Sequence, residues 1–522
     1  MSRRVRNFAL LALLGAAVGV GPARAETLGD VIAYVYQVNP GLQAQRAALR
    51  ALDESYVQSR AGFGTNISAS TGATKYYDRR STGGSAIADT QSSALSIVQP
   101  VYTGGRVTDR LRAADAQIKS GRETLRRYEL DLIQRVVAAY VGVLRDEQLL
   151  AINRDTVAAL TKELSDTQAR FDVHEVTITD LAQAKARQAQ ANTQLLTAQA
   201  QLGTIRAQYF GVVGQNPGEL APPSAVTSLP VTFEMALDAA EANNPQLQGA
   251  RFAEQSSRAA LAAAKAERNP TVTARYDLQR APTAPYNAHQ YDTVHSASIT
   301  LSQPLFSGGQ IQSGVRRSLE ENNRDRLTID DTRLQVIQEV SSSWEQLVAL
   351  RQQLTTAQNE VISDQLAFAG ARQEQKFALR STIEVLNAEL ELSNAQQNLT
   401  RVHAAEYISR VQLLAASGIL TAQMFSPRTV AYDPAANLKR VRNSGATPLE
   451  LPVRTIEALT TKPLGPEPPA SIAQARPTGP ALPPEPTNAD APIRSIYSTL
   501  EQSDAAAANA AAAAAAAPKK KP

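Results

Sequence analysis

The sequence predicts a mixed α/β chain made of two homologous halves, each a long antiparallel helical hairpin interrupted by one β-hairpin. Three observations lead there. Gln99-Pro100-Val101-Tyr102-Thr103-Gly104-Gly105-Arg106 returns as Gln303-Pro304-Leu305-Phe306-Ser307-Gly308-Gly309-Gln310, Asn39-Pro40 returns as Asn244-Pro245, and 60–69 matches 265–274, all at an offset of 204 or 205 residues. Apolar residues recur every seven positions, as Val136, Val143, Leu150, Val157, Leu164 and Phe171, and again as Val340, Leu347, Leu354, Val361 and Phe368. That spacing marks a coiled-coil seam. Finally, Thr65, Ile67, Ala69, Thr71 and Ala73 alternate with Asn66, Ser68, Ser70 and Gly72, which is the period of a strand.

In chain order, residues 1–25 read as a secretory signal. Arg3, Arg4 and Arg6 precede an apolar run from Phe8 to Val20, and Ala23-Arg24-Ala25 is a small-x-small cleavage site. The run is too short for a favoured membrane helix. A helix follows over 28–61, with Leu28, Val31, Ile32, Val35, Val38 and Leu42 as its stripe and Asn39-Pro40 kinking or interrupting it. Strands are expected at about 63–78 and 92–102, joined by a solvated loop at 79–91 that carries Arg79, Arg80 and a Gly-Gly. The next helix, about 106–171, spans roughly 100 Å at 1.5 Å per residue. A break at 172–177 leads into a helix over 178–213. Together the helices over 28–61 and 178–213 match the long one in length, so they can stack end to end beside it. The first repeat is thus 26–213.

A proline-bearing linker at 214–230 contains Pro217, Pro222, Pro223 and Pro230. The second repeat, 231–420, predicts a helix over 232–266, strands at about 270–280 and 291–305, a long helix over 310–372 and a helix over 382–417. Residues 421–522 are rich in Pro and Ala and end in Pro-Lys-Lys-Lys-Pro. They read as a largely disordered tail with a short helix or edge segment near its start.

Composition narrows the classes. The absence of cysteine excludes disulfides and lipid attachment through an N-terminal cysteine. After the signal, no stretch of about 20 apolar residues remains for a membrane helix, so any span must use strands. A net charge of +4 over 522 residues, owed largely to the signal and the final lysines, gives no footprint for nucleic acid. Four scattered histidines offer no metal cluster, and no nucleotide loop or nucleophile constellation appears. Neither cofactor nor enzymatic activity is expected. Two hairpins give four strands, too few to enclose a pore in lipid, where open edges leave backbone groups unpaired. Three chains supply twelve strands, which points to a shared outer-membrane barrel. Tyr76, Tyr77, Tyr102, Tyr276, Tyr286 and Tyr291 flank the strands as candidate interfacial girdles. The alternative is a periplasmic structural or adaptor coiled-coil protein without a barrel.

Several residues stand out. Gly104, Gly105, Gly308 and Gly309 follow the return strands, where the chain must turn sharply into a helix, and Pro100 and Pro304 end ladder bonding just before them. Asp180 and Glu384 hold matching repeat positions near Thr177, Thr179 and Thr382, where they can cap or favour helix starts.

Taken together, the Asn-Pro pairs, the Gln-Pro-(Val/Leu)-(Tyr/Phe)-x-Gly-Gly blocks and the turn segments 170–181 and 380–388 resemble the TolC family of outer-membrane efflux and secretion channels over about 27–420. The resemblance implies a homotrimer with a 12-stranded barrel in the outer membrane of a Gram-negative bacterium. A long α-helical tunnel would fill a large periplasmic portion. It implies docking to a periplasmic adaptor and an inner-membrane transporter of the ABC, RND or MFS class. It further implies that Glu384 contributes to an acidic ring at the periplasmic aperture, with Asp180 nearby. Asn387 stands where a second acidic ring often occurs. Arg380 resembles an arginine that ties neighbouring coiled coils shut, although Gln375 replaces its usual aromatic companion. His174 and Ala378 replace glycines expected in the turns. Phe171, Val173, His174, Thr177, Phe377, Ser381 and Thr382 would face the adaptor.

Overall fold

The computed structural model describes residues 25–80, 84–226, 228–284, 289–377, 379–427, 429, 431–465 and 476–484. The expected signal, apart from Ala25, lies outside the described residues, as do Tyr286, Ala378 and the alanine-rich end of the tail. The elements run α1 (Leu28–Val38), α2 (Pro40–Arg60), β1 (Asn66–Arg80), β2 (Gly84–Tyr102), α3 (Arg106–Asp172) and α4 (Ile178–Val213). The second repeat supplies α5 (Phe233–Asn243), α6 (Pro245–Ala266), β3 (Thr271–Pro282), β4 (Tyr291–Ser302), α7 (Gln310–Lys376) and α8 (Thr382–Ala416). Three short helices follow: α9 (Ala422–Phe425), α10 (Ala436–Val441) and α11 (Glu450–Thr460).

The Asn-Pro pairs divide the first helix of each repeat. Asn39 and Asn244 each accept backbone N–H bonds as N-caps, and Pro40 and Pro245 occupy the first helical turn, where a missing N–H costs nothing. Their amides do a second job. Asn39 Nδ2 donates to Val212 O at 3.3 Å and Asn244 Nδ2 to Ala416 O at 2.9 Å, filling a C-terminal carbonyl of α4 and α8. The expected uninterrupted helix over 232–266 is therefore two helices, for the same reason as in the first repeat.

Long helices α3 and α7 each contain 67 residues. The upper part of α3 packs against α2 and α6, and its lower part against α4; α7 packs against α6 and then α8. The seven-residue seam faces inward: Val136, Val143, Val340, Leu347 and Leu354 are at most 1% exposed. Each such side chain contributes about 1.5–3 kcal/mol on burial.

All four strands form one antiparallel sheet in the order β1-β2-β3-β4. The outer edges of β1 and β4 have no strand partner among the described residues. The loop expected over 79–91 is instead strand on both sides of 81–83, with pairs from Thr74↔Thr90 out to Arg80↔Gly84. Charged and small residues do not break a ladder whose bonds come from the backbone and whose partner is already aligned. In the second repeat, α7 runs four residues past the expected end at 372, and β4 stops at Ser302 rather than 305.

The tail departs most from expectation. The described residues 421–427, 429 and 431–465 lie along the first repeat instead of forming only a short segment at the start of a disordered tail. Val453 packs with Phe63 and Val107. Arg60 pairs with Glu450 at 3.5 Å and donates to Ser444 O, and Asn437 Nδ2 donates to Asp53 Oδ2 at 2.8 Å. Residues 476–484 then lie against the second repeat. Composition hid this because the anchors are polar contacts and single apolar residues, without a periodic stripe.

Candidate functional site

The register sorts side chains by face. On one face the rows are Ile67↔Ile97↔Tyr276↔Ala297 and Ala69↔Leu95↔Leu278↔His295. On the other they are Asn66↔Val98↔Arg275↔Ser298 and Ser68↔Ser96↔Asp277↔Ser296. The first suits lipid and the second an aqueous lumen. A 12-residue strand is about 40 Å long, enough to cross a bilayer when tilted. No helix among the described residues is long and apolar enough to cross a membrane.

At the strand-to-helix junctions, Gly104 and Gly105 have φ of 69° and 87°, and Gly308 and Gly309 have 59° and 86°. Each pair turns the chain through the left-handed region that L side chains avoid. A Cβ on Gly104 would sit 2.8 Å from Asn269 Cβ. Pro100 lies at a register shift in the β2–β3 ladder, and Pro304 falls just after β4. The repeated glutamines clamp the roots of each hairpin: Gln99 Nε2 donates to Phe63 O at 3.1 Å and Gln303 Nε2 to Arg268 O at 2.7 Å.

Among the described residues, only the first junction is covered within the chain. Fully buried Glu457 of α11 accepts bonds from the Thr103 N–H and hydroxyl, and from the Thr108 hydroxyl at 2.8 Å. Burial raises the carboxyl pKa of nearby Asp109, against the pull of Arg112. At the second junction Leu305 and Phe306 are more than 90% exposed.

The opposite end holds the two helix turns. After α3, the His174 N–H donates to Phe171 O and the Glu175 N–H to Arg170 O, both at 2.9 Å, a Schellman closure. His174 has φ of 64°, so it does adopt the glycine-like conformation. After α7 the Leu379 N–H donates to Glu374 O at 3.0 Å, the matching bond. Thr177 caps α4 reciprocally with Asp180: Thr177 Oγ1 accepts from the Asp180 N–H at 3.2 Å and donates to Asp180 Oδ2 at 2.8 Å. The hydroxyl's bond, then that of the Thr177 N–H to the same oxygen at 3.0 Å, holds the Asp180 carboxyl below its ordinary pKa.

In the second turn, Arg380 bridges Glu374 Oε2 at 2.8 Å and Glu384 Oε2 at 2.9 Å, and the Ser381 hydroxyl donates to Glu384 Oε1 at 3.0 Å. The Arg380 bond, then that of Ser381, lowers the Glu384 pKa. Within the chain, the Arg380 ion pairs thus stay inside its own hairpin. The ties between the two hairpins come from other residues. Gln375 Nε2 donates to Glu163 Oε1 at 2.9 Å, Arg187 Nη2 donates to Asn387 Oδ1 at 3.0 Å, and buried Thr156 and Ser393 hydroxyls meet at 2.8 Å. Thr382 is buried beneath the turn, whereas Val173, Ile178, Phe377 and Leu379 are exposed at the tips.

Sequence reasoning missed Glu163, Arg187, Glu374 and Glu457. Glu163 adjoins seam residue Leu164, a position from which a coiled coil reaches its neighbour. For Glu457, no local signal existed.

A chain with this sheet and these junctions and tips is one subunit of an outer-membrane channel that continues as a helical conduit. The family model described as Outer membrane efflux protein matches it twice, over residues 32–215 and 236–419, and the chain belongs to that family. It is a passive conduit and not an enzyme, and it resides in the outer membrane. Outer membrane efflux protein BepC of Brucella suis biovar 1 is 28% identical over 436 residues, 83% of this chain and 94% of BepC. Outer membrane protein TolC of Escherichia coli K12 is 24% identical over 424 residues, 77% and 84% of the two chains. The crystal structure of the Campylobacter jejuni CmeC outer membrane channel shares the fold, with a TM-score of 0.68 over 85% of this chain and 97% of CmeC at 13% identity.

Proposed function

We propose that the chain forms a homotrimeric exit duct serving a tripartite efflux pump or a type I secretion system, with partners of the adaptor and ABC, RND or MFS transporter classes. The observation that carries this reading is the four-stranded sheet with two unpaired outer edges, joined through left-handed glycine pairs to helices roughly 100 Å long. Three such sheets close into one barrel, and the helices extend the lumen below it. The exposed tip residues Val173, Ile178, Phe377 and Leu379, with Phe171, His174 and Thr177 beside them, form the adaptor-facing rim. Glu384 and Arg380 line the aperture, with Asn387 and Asp180 behind them, so that opening separates charged groups rather than an apolar plug.

Purified protein reconstituted in planar bilayers tests the duct. Trimers with discrete ion conductance are expected; monomers that stay soluble without detergent and never conduct would instead favour a barrel-free periplasmic protein. Deleting the gene and comparing secreted proteins with antibiotic sensitivity separates protein cargo from small molecules.

A further inference from the structure

Trp344 is the sole tryptophan of the chain and is fully buried. Its indole N–H leaves the helical body and donates to Pro480 O at 2.9 Å. Seven residues on, Arg351 Nη1 donates at 2.8 Å to Pro483 O, three positions after Pro480. Phe233 stands edge-on to Trp344, with ring centroids 5.9 Å apart, and Gly479 passes so close that a Cβ there would lie 2.6 Å from Phe233 Cγ. At one end Arg476 reaches Asp238 Oδ1 at 2.7 Å and Glu241 Oε2 at 2.8 Å. Leu482 packs against the same apolar cluster as Phe233 and Trp344.

These are the parts by which a groove reads a proline-rich strand. Prolyl segments make no internal hydrogen bonds, so their carbonyls are free for an indole or guanidinium donor. Their missing N–H groups leave no orphan donors, and an acidic pair reads a flanking basic residue. The repeat provides an independent comparison. Tyr140, 204 residues before Trp344, is also fully buried and donates at 2.6 Å to Ala221 O, in the linker Leu220-Ala221-Pro222-Pro223. That linker is covalently held on both sides by α4 and α5. Its counterpart, Leu482-Pro483-Pro484, comes only after α9–α11 have wrapped the other repeat.

We propose that the groove between α5 and α7 is a peptide-binding site for proline-rich segments bearing a basic residue, and that residues 476–484 occupy it as an intramolecular ligand. The first repeat has its strap built in; the second binds one.

Trp344 fluorescence reads this site alone. A specific protease sequence placed within 466–475 of the full chain allows the trimer to be cut after assembly. Gel filtration of the cut trimer is expected to remove the segment and red-shift the emission. A synthetic peptide of residues 474–486 should restore it saturably, and a scrambled peptide should not. Asp238→Asn with Glu241→Gln should weaken that peptide by roughly tenfold. Emission unchanged after the segment is lost, or equal restoration by the scrambled peptide, overturns the proposal. Should the cut segment stay bound, Leu482→Asp in the uncut chain decides: a red shift supports the site, and unshifted emission overturns it.

Discussion

Glu384 shows how a single carboxylate is set by its neighbours. Arg380 and Ser381 stabilise its charged form and so depress its pKa. Because the folded value lies below the unfolded one, the contribution is fully present above the ordinary carboxylate range and is lost as pH falls through the depressed value. Cation preference in planar bilayers should therefore hold from neutral pH down to the ordinary glutamate pKa of about 4.3 and fade only below it. In Arg380→Gln the fade should begin at higher pH, and conductance should rise by about twofold or more as Glu374 and Glu384 separate. Unchanged conductance in Arg380→Glu and Glu384→Lys alike would remove both residues from the aperture. The asparagine of each Asn-Pro pair makes a second residue-scale case. Asn244→Ala loses a cap and leaves Ala416 O unfilled, a combined cost of about 2–3 kcal/mol, read as an earlier thermal loss of helical circular dichroism. Asn244→Asp should recover the cap but not the amide donor, and so fall between the two.

At the scale of elements, the junctions are covered unequally. Gly104→Ala meets Asn269 as well as a left-handed φ, whereas among the described residues a Cβ on Gly308 would meet nothing within 4 Å outside its own neighbours. The φ cost alone is about 1–2 kcal/mol. Gly104→Ala should therefore lower the yield of heat-modifiable trimer on gels more than Gly308→Ala; equal losses would show that another chain packs tightly on the second junction. The elements themselves were largely legible in the sequence, because a duplicated chain states each element twice. The seam Val340 to Phe368 could be checked against Val136 to Phe171, and Gly308-Gly309 against Gly104-Gly105. What stayed hidden was whatever has no repeat partner or periodicity. Glu457 binds Thr103 across 354 positions, and nothing in the Pro/Ala-rich composition of the tail announces it. The tip ties are partly readable: Asn387 and Gln375 depart from a family pattern, but their partners Arg187 and Glu163 lie 200 and 212 positions away.

For the whole molecule, strand direction settles how copies can join. With β1-β2-β3-β4 all antiparallel, β4 of one chain runs opposite to β1 of another, so the outer edges can continue the same ladder and close a barrel of twelve strands. An open edge in lipid leaves its N–H and C=O groups unpaired at several kcal/mol each, so the isolated sheet has a strong drive to find these partners. The chain contains no cysteine, which allows a clean test. Ser296→Cys or Ser298→Cys on β4, each combined with Asn66→Cys, Ser68→Cys or Ser70→Cys on β1, samples neighbouring registers on the lumen face. Where Cβ atoms come within about 3.5–4.5 Å, oxidation forms a disulfide. At least one pair should give a band of trimer mass that survives boiling and collapses to monomer with reductant. The single variants should give at most dimers. Failure of every pair to cross-link beyond a dimer in native membranes would mean that the two edges do not meet, and the closed barrel would have to be abandoned.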